Sequence, residues 1–473
     1  MTTMRKTIVI AGASGYIGSN VMDHLKEEYD IIALSRSTKN KEDEAHVTWR
    51  SCDLFSYEQT REACKGADYA MFLVHSMIPD GGLTQATFED MDALIADNFA
   101  RATKANDIEQ IVYLSGIIPK ESKTLSRHLK SRLEVERILG GQGVPVTTIR
   151  AGLIIGPEGS SFPILAKLVK RLPVMILPSW TKTETHPIDL REAVQALISV
   201  VGAEALYDHH IDIGGPEVMT YRKMIEDTAD VMGKRRVMID FPFPTIKLSR
   251  LWVMAVTGEP KDTVYPLVES MGHVMVAKDT TGVKQGEIPF KEAVEHALEE
   301  EEKQKSGGGK KKKAPQQYTV RSIQRFGLPE NKSALWMADE YFEWLGRVAY
   351  PLIQTTKEDD DWEIALLRPS FVALHLSLED EATDDMASFA IDGGLFTKLS
   401  EDDKTGRLEF RRLPESDEGL VAIHEFVPAL PWWFYTKTQA KAHLVVMWLF
   451  GRHVRLLGED ADEGDQIVEA PTN

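Results

Sequence analysis

Cysteine is nearly absent: the chain of 473 residues holds two, Cys52 and Cys64. That excludes a disulfide-stapled scaffold and suits a reducing cytoplasm. Neither thiol has the CxxC or histidine spacing of a metal ligand set, so no metal site is expected. Long apolar runs are lacking as well. Stretches such as Leu444–Phe450 fall far short of the ~20 residues that a membrane-spanning helix requires. No basic segment with an apolar core precedes the first strand-like residues at Thr7, so no secretory leader is expected. Positive charge is in deficit: 55 Lys and Arg against 73 Asp and Glu leave −18. That balance disfavours a nucleic-acid partner and reads as a solvated surface.

Hydrophobic residues make up 43% of the chain, enough for large cores, and its length predicts two or three domains. The stretch Thr7–Gly18 reads as an apolar strand, a glycine turn and the opening of a helix. Its glycines, Gly12, Gly15 and Gly18, recur every third residue. Gly12 allows a tight turn, Gly15 lets a phosphate approach bare backbone, and Gly18 lets the helix lie close on the sheet. The N–H groups at that helix start form an anion site, as a dinucleotide pyrophosphate requires.

Apolar runs at Asp30–Arg36, Val47–Cys52, Tyr69–Ser76, Gln110–Gly116 and Val144–Ala151 alternate with helical patterns at Glu58–Lys65, Ala86–Asn106 and Leu125–Leu139. Runs without polar alternation suit parallel strands covered on both faces. The expected fold is therefore α/β, a doubly wound parallel sheet with its ligand at the carboxyl ends of the strands, and a proline-rich lobe follows Arg150.

Residues 1–298 form the expected dinucleotide-binding domain, 299–317 a charged Gly/Lys linker, 318–457 a C-terminal α+β domain and 458–473 an acidic tail. The C-terminal domain holds Trp336, Trp344, Trp362, Trp432, Trp433 and Trp448. Core packing is the plainer reading of these rings, and an apolar ligand cavity the other. The closing helix Thr436–Val454 is apolar nearly all round and reads as buried.

The first ~290 residues resemble the short-chain dehydrogenase/reductase superfamily in its extended, atypical (NmrA-like) branch, where doubly wound sheets of this kind are usual. The resemblance rests on Gly12-Ala-Ser14-Gly15-Tyr16-Ile17-Gly18, Cys52-Asp53-Leu54, Val112-Tyr-Leu-Ser115-Gly, Ser131-Arg132 with Glu136, and Arg150-Ala-Gly-Leu-Ile-Ile-Gly156-Pro157. His186-Pro-Ile-Asp189 is similar to the segment before the family's next helix. The C-terminal part is similar to a domain of unknown function fused to such folds in bacteria. The resemblance implies a nicotinamide dinucleotide, with Asp53 and Leu54 at the adenine and Val74, His75 and Ser76 beside the nicotinamide-side ribose.

The second strand ends Ser35-Arg36, where a carboxylate would bind ribose hydroxyls and repel a 2′-phosphate. A guanidinium there favours NADP(H) over NAD(H) by roughly 10- to 100-fold. The catalytic positions depart from the family's Ser, Tyr and Lys. Ser115 is retained, His128 stands where the Tyr is expected, and Arg132 where the Lys is expected. An imidazole that titrates near ~6.5 beside a guanidinium is held neutral, so it accepts a proton readily and donates one poorly. The expected function is reduction of a small carbonyl or quinone-like substrate, with a low-turnover nucleotide sensor or assembly module as the alternative.

Overall fold

The computed structural model describes residues 5–76, 83–119, 125–159, 161–241, 246–306, 319–379, 382–398 and 406–466. The Gly/Lys part of the expected linker, 307–317, and the end of the tail, 467–473, lie outside the described residues. The chain divides into two compact units, Met1–Ile78 with Ile95–Lys312, and Pro79–Leu94 with Lys313–Asn473.

In the first unit β1 (Thr7–Ala11), β2 (Asp30–Ser35), β3 (Val47–Ser51), β4 (Tyr69–Phe72), β5 (Gln110–Gly116), β6 (Val146–Ala151) and β7 (His210–Ile213) make one sheet in the order β7-β6-β5-β4-β1-β2-β3. Every pairing in it is parallel. The order reverses at β1, which pairs with β2 on one side and β4 on the other, and this is where doubly wound sheets open a ligand crevice. Gln110–Gly116 is strand throughout and Val144–Ala151 starts two residues late, while the other three stretches continue past their strands into the loop at the carboxyl end. Tyr69–Ser76 is strand only to Phe72, and the remaining residues stand at the crevice.

Helices α1 (Tyr16–Leu25), α2 (Tyr57–Ala63), α3 (Phe88–Ala105), α4 (Arg127–Gly140) and α5 (Leu190–Ser199) follow strands of the sheet. One core lies between β1, β2 and β5 and the apolar sides of α1 and α5, with Ile8, Ile10, Val21, Val112 and Leu197 at its centre. A separate core gathers Ile164, Leu168, Val169, Met224, Val264 and Val294 from the proline-rich lobe and from α6 (Phe290–Ser306). The last of these helices carries on through the first residues of the expected linker.

The second unit is an antiparallel sheet packed against two helices. β8 (Val320–Gly327), β9 (Ile353–Glu358), β10 (Asp361–Leu366), β11 (Val372–Leu378), β12 (Met386–Gly393), β13 (Gly406–Arg412) and β14 (Glu418–Phe426) stand in the order β9-β10-β11-β12-β13-β14-β8. The short strand Leu83–Gln85 then pairs parallel with β8 and completes the edge. Gln85 Nε2 donates to the Ala440 carbonyl at 3.1 Å, and Arg325 Nε reaches Asp90 at 2.7 Å. These contacts place the segment before Ile95 with the C-terminal sheet, although the alternation of strand and helix had assigned it to the dinucleotide-binding fold.

Helix α7 (Ala334–Val348), the short α8 (Trp432–Tyr435) and α9 (Gln439–Gln466) complete this unit. The closing helix is not buried all round. Ala440, Met447, Phe450 and Val454 face the sheet, while Val445, Trp448, Leu449 and Leu456 are exposed, because one sheet face covers one side of a helix. Of the six tryptophans, Trp344 and Trp362 are core, and Trp433 and Trp448 are surface.

His443 sits on α9 with Nε2 3.2 Å from Ser322 Oγ, and burial pushes its imidazole down to about 4 from an ordinary 6.5. The folded chain therefore resists a proton that the unfolded chain accepts near 6.5. Stability from this residue is full above the unfolded value and is lost as pH falls from there towards 4, by roughly 2–3 kcal/mol. Thermal melts across that interval should show the slope, and His443→Gln should flatten it.

Candidate functional site

The turn from β1 into α1 is closed by backbone. Gly12 has φ +92°, and a Cβ there would lie 3.0 Å from the Leu73 backbone. Gly15 N–H donates to the Gly12 carbonyl at 2.9 Å. A Cβ on Gly18 would come within 2.2 Å of that same carbonyl oxygen. The third glycine, expected to serve helix–sheet packing, thus lets the first helical turn fold back on the glycine turn.

No side chain caps α1 at Gly15, and no acidic residue sits in its first turn. By contrast, Ser56, Ser126 and Asp189 cap α2, α4 and α5. The start of α1 is a bare positive dipole end, with Ser14 and Gly15 exposed beside it. Ile17 packs half-buried against the core. Tyr16 OH donates to Glu300 Oε2 at 3.3 Å, and burial together with that carboxylate holds the phenol protonated well above its usual range. Its ring occupies the space beside Gly156, where a Cβ would stand 2.9 Å from Cε1. The Tyr16–Glu300 contact carries no local sequence signal, but Gly156 in its motif was a clue that a ring needed room.

The remaining expected coenzyme residues gather at the same strand ends. Ser35 closes β2, its Oγ donates to the Ser37 carbonyl at 3.1 Å, and Arg36 follows it, exposed. Asp53, after β3, accepts from Phe55 N–H at 3.2 Å, while the Leu54 carbonyl accepts from Asn98 Nδ2 at 2.9 Å. Val74, His75 and Ser76 follow β4, all half-buried.

Ser115 lies near the end of β5, on the same face as Tyr113. Its side chain is only 6% exposed, and its Oγ has no hydrogen-bond partner among the described residues. A buried hydroxyl is costly without one, so an orphaned donor at the crevice fits a site made for a ligand oxygen. The ring of His128, in the first turn of α4, lies 5.1 Å from that of His75. One turn on, Arg132 Nη1 donates to the hydroxyl of the fully buried Tyr113 at 3.3 Å. Tyr113, a core residue, is therefore also the residue that steadies Arg132.

A partly buried pair missed from the sequence fixes α4 in place. Arg150 on β6 makes a two-nitrogen fork to Glu136, at 2.7 Å for Nη2–Oε1 and 3.2 Å for Nε–Oε2. Both residues stood in quoted motifs, but nothing in their spacing linked them. Their pairing holds the helix that carries His128 and Arg132 against the sheet. His186 is structural: Nε2 donates to the Gly215 carbonyl at 2.8 Å and Nδ1 accepts from Ala277 N–H at 3.3 Å. Among the described residues, no group of three or more His, Cys, Asp or Glu is placed to hold a metal ion.

A glycine cradle that any Cβ would fill and a buried, orphaned Ser115 hydroxyl together fit a dinucleotide across the carboxyl ends of the sheet. Gly18→Ala should lower coenzyme affinity at least ~10-fold and reduce the melting temperature. Gly140→Ala, where the new Cβ would meet its nearest neighbour at 3.7 Å, should change neither. Calorimetric titration and thermal melts check both.

Known proteins share this fold. The auxiliary protein GraX of Staphylococcus aureus is 31% identical over 148 residues, covering 31% of this chain and 44% of that protein. The chain thus spans less than half the length of that relative. A nucleoside-diphosphate-sugar epimerase from Staphylococcus aureus superposes with a TM-score of 0.50 at 14% identity, over 61% of this chain and 99% of its own. A triphenylmethane reductase from Citrobacter sp. does so with a TM-score of 0.50 at 16% identity, over 62% and 99%. At such identities the fold is what is shared. Residues 8–134, from β1 into the helix that carries His128 and Arg132, match the NAD dependent epimerase/dehydratase family, in keeping with the resemblance drawn from the sequence.

Proposed function

We propose that the chain binds NADP(H) and reduces a small carbonyl or quinone-like compound in the cytoplasm. The observation that carries this reading is the uncapped glycine cradle on the same strand ends as the buried Ser115 hydroxyl. The bound nicotinamide supplies the hydride. The start of α1 takes the pyrophosphate, Arg36 the 2′-phosphate, and Asp53 and Leu54 the adenine side. Val74, His75 and Ser76 border the nicotinamide-side ribose, whose hydroxyls Arg132 holds while Tyr113 steadies it. Ser115 Oγ donates a hydrogen bond to the substrate oxygen, and the proton that oxygen gains comes from a water or from the His128 ring in its protonated form. In this reading residues 299–317 tether a C-terminal domain, 318–457, that engages a ligand or partner.

A second reading, a low-turnover sensor or assembly module, draws on two observations. His128 and Arg132 stand where a phenol and an amine are expected, and 148 residues of the chain are 31% identical to a protein named as auxiliary. Oxidation of NADPH against a panel of quinones and aldehydes separates the two. The first reading expects turnover that His128→Ala lowers ~10²-fold or more with little change in coenzyme affinity. Tight binding with no turnover on any substrate favours the second. Arg36→Ala should weaken NADPH ~10- to 100-fold and leave NADH unchanged, and equal losses would reject the role of Arg36.

A further inference from the structure

We propose that a two-stranded ribbon in the proline-rich lobe docks an extended, acidic peptide segment of a partner protein. Strand Val174–Pro178 pairs in parallel with Val237–Phe241, and among the described residues neither pairs with a third strand, so each keeps an open edge. Met175 and Leu177 belong to the lobe core, and Met238 packs against it. Val174, Ile176, Val237 and Ile239 lie on the opposite face, adjacent in register and each about half exposed. A solvated strand face ordinarily carries polar residues, and open edges are ordinarily blunted. An apolar outer face beside an open edge marks a surface that a partner covers.

Charge and the open edge select the occupant. From Phe162 to Thr183 and from Val231 to Ile239 the chain has no Asp or Glu. Arg171, Lys234, Arg235 and Arg236 precede the two strands, and among the described residues no carboxylate pairs with any of them. Arg171 and Arg236 donate to the Val256 and Val169 carbonyls instead. The nearby carboxylates are taken: Glu226 by Arg222 at 2.9 Å, Asp230 by Lys291 at 3.3 Å, and Asp240 by Arg222 and Lys182. Glu259 and Glu301 likewise take Lys167 and Lys170, and of the flanking carboxylates Glu184 alone has no cation among the described residues. A groove of about 790 Å³ is lined by Lys234, Arg235, Arg236 and Met238, and by Arg222 and Glu226 of helix Tyr221–Val231. Among the described residues none of its lining comes from Val174–Pro178, so it lies on the open side of Val237–Phe241. A strand added at that edge sends alternate side chains into the groove, where carboxylates meet the cations, and sets the others beside Val237 and Ile239. A second copy fits less well, because the four aliphatics offer on the order of 300 Å² against about 800 Å² per partner in a stable dimer. A bilayer fits less well too, since its interior has no partner for the N–H and C=O groups of an open edge. Among the described residues no helix is long and apolar enough to cross one.

The test uses the full chain and short fluorescein-labelled peptides that alternate Glu with Val, read by anisotropy. The expected result is saturable binding that weakens with salt, and none by the same peptides with Lys in place of Glu. Lys234→Glu with Arg235→Glu should weaken binding at least about 10-fold. Val237→Thr with Ile239→Thr, which keeps the strand propensity, should weaken it about 10-fold. N-methylation of one alternate set of peptide amides should abolish binding, and of the other set should spare it. Matching melts would establish that the variants fold, and the acidic-against-basic comparison on the wild type needs no variant. No binding of the acidic peptide, equal binding of the basic one, or equal losses from the two methylated sets overturns the proposal. So does a dimer that Ile239→Thr separates, or attachment to phosphatidylglycerol vesicles, in a chain that ignores the peptide, since the occupant is then a second copy or a bilayer.

Discussion

The first unit depends on one close approach, the carbonyl of Gly12 against the opening turn of α1. That oxygen accepts from Gly15 N–H at 2.9 Å and leaves no room for a Cβ on Gly18. Because the turn is held by backbone alone, no side chain is spent on capping the helix, and its dipole end stays open towards the crevice. A Ser or Asp cap, as on α2, α4 and α5, would satisfy the same N–H groups and compete with a phosphate. The feature that makes the turn fold and the feature that makes it able to bind are the same absence of side chains.

The opposite wall of the crevice is built differently, from long side chains locked by one another. The Arg150–Glu136 fork fixes α4 to β6, and the Tyr113 hydroxyl takes up Arg132. A buried guanidinium left without its carboxylate would be strongly destabilising, so this wall tolerates little change. The surface of the C-terminal unit has the reverse character. There a row of exposed apolar residues is left over after one side of α9 has packed on its sheet.

Much of the first unit was legible because parallel strands covered on both faces are written as unbroken Val, Ile and Leu. The glycine turn was legible because its spacing is local. What was missed is non-local or faintly patterned. Ile353–Glu358 is a polar edge strand, Val320–Gly327 alternates apolar and polar residues unevenly, and Leu83–Gln85 is too short to have a period. Glu136–Arg150 and Tyr16–Glu300 join residues whose separation has no sequence signature. The closing helix misled for a physical reason: apolar residues all round are the mark of burial only when something covers every side.

Everything on the coenzyme side rests on the amides that open α1 accepting a pyrophosphate. Isothermal titration of the intact chain with NADPH, NADP, NADH and NAD tests that most directly. Saturable heat at one equivalent per chain, stronger with the phosphorylated pair, is the predicted result. No heat with any of the four would contradict it.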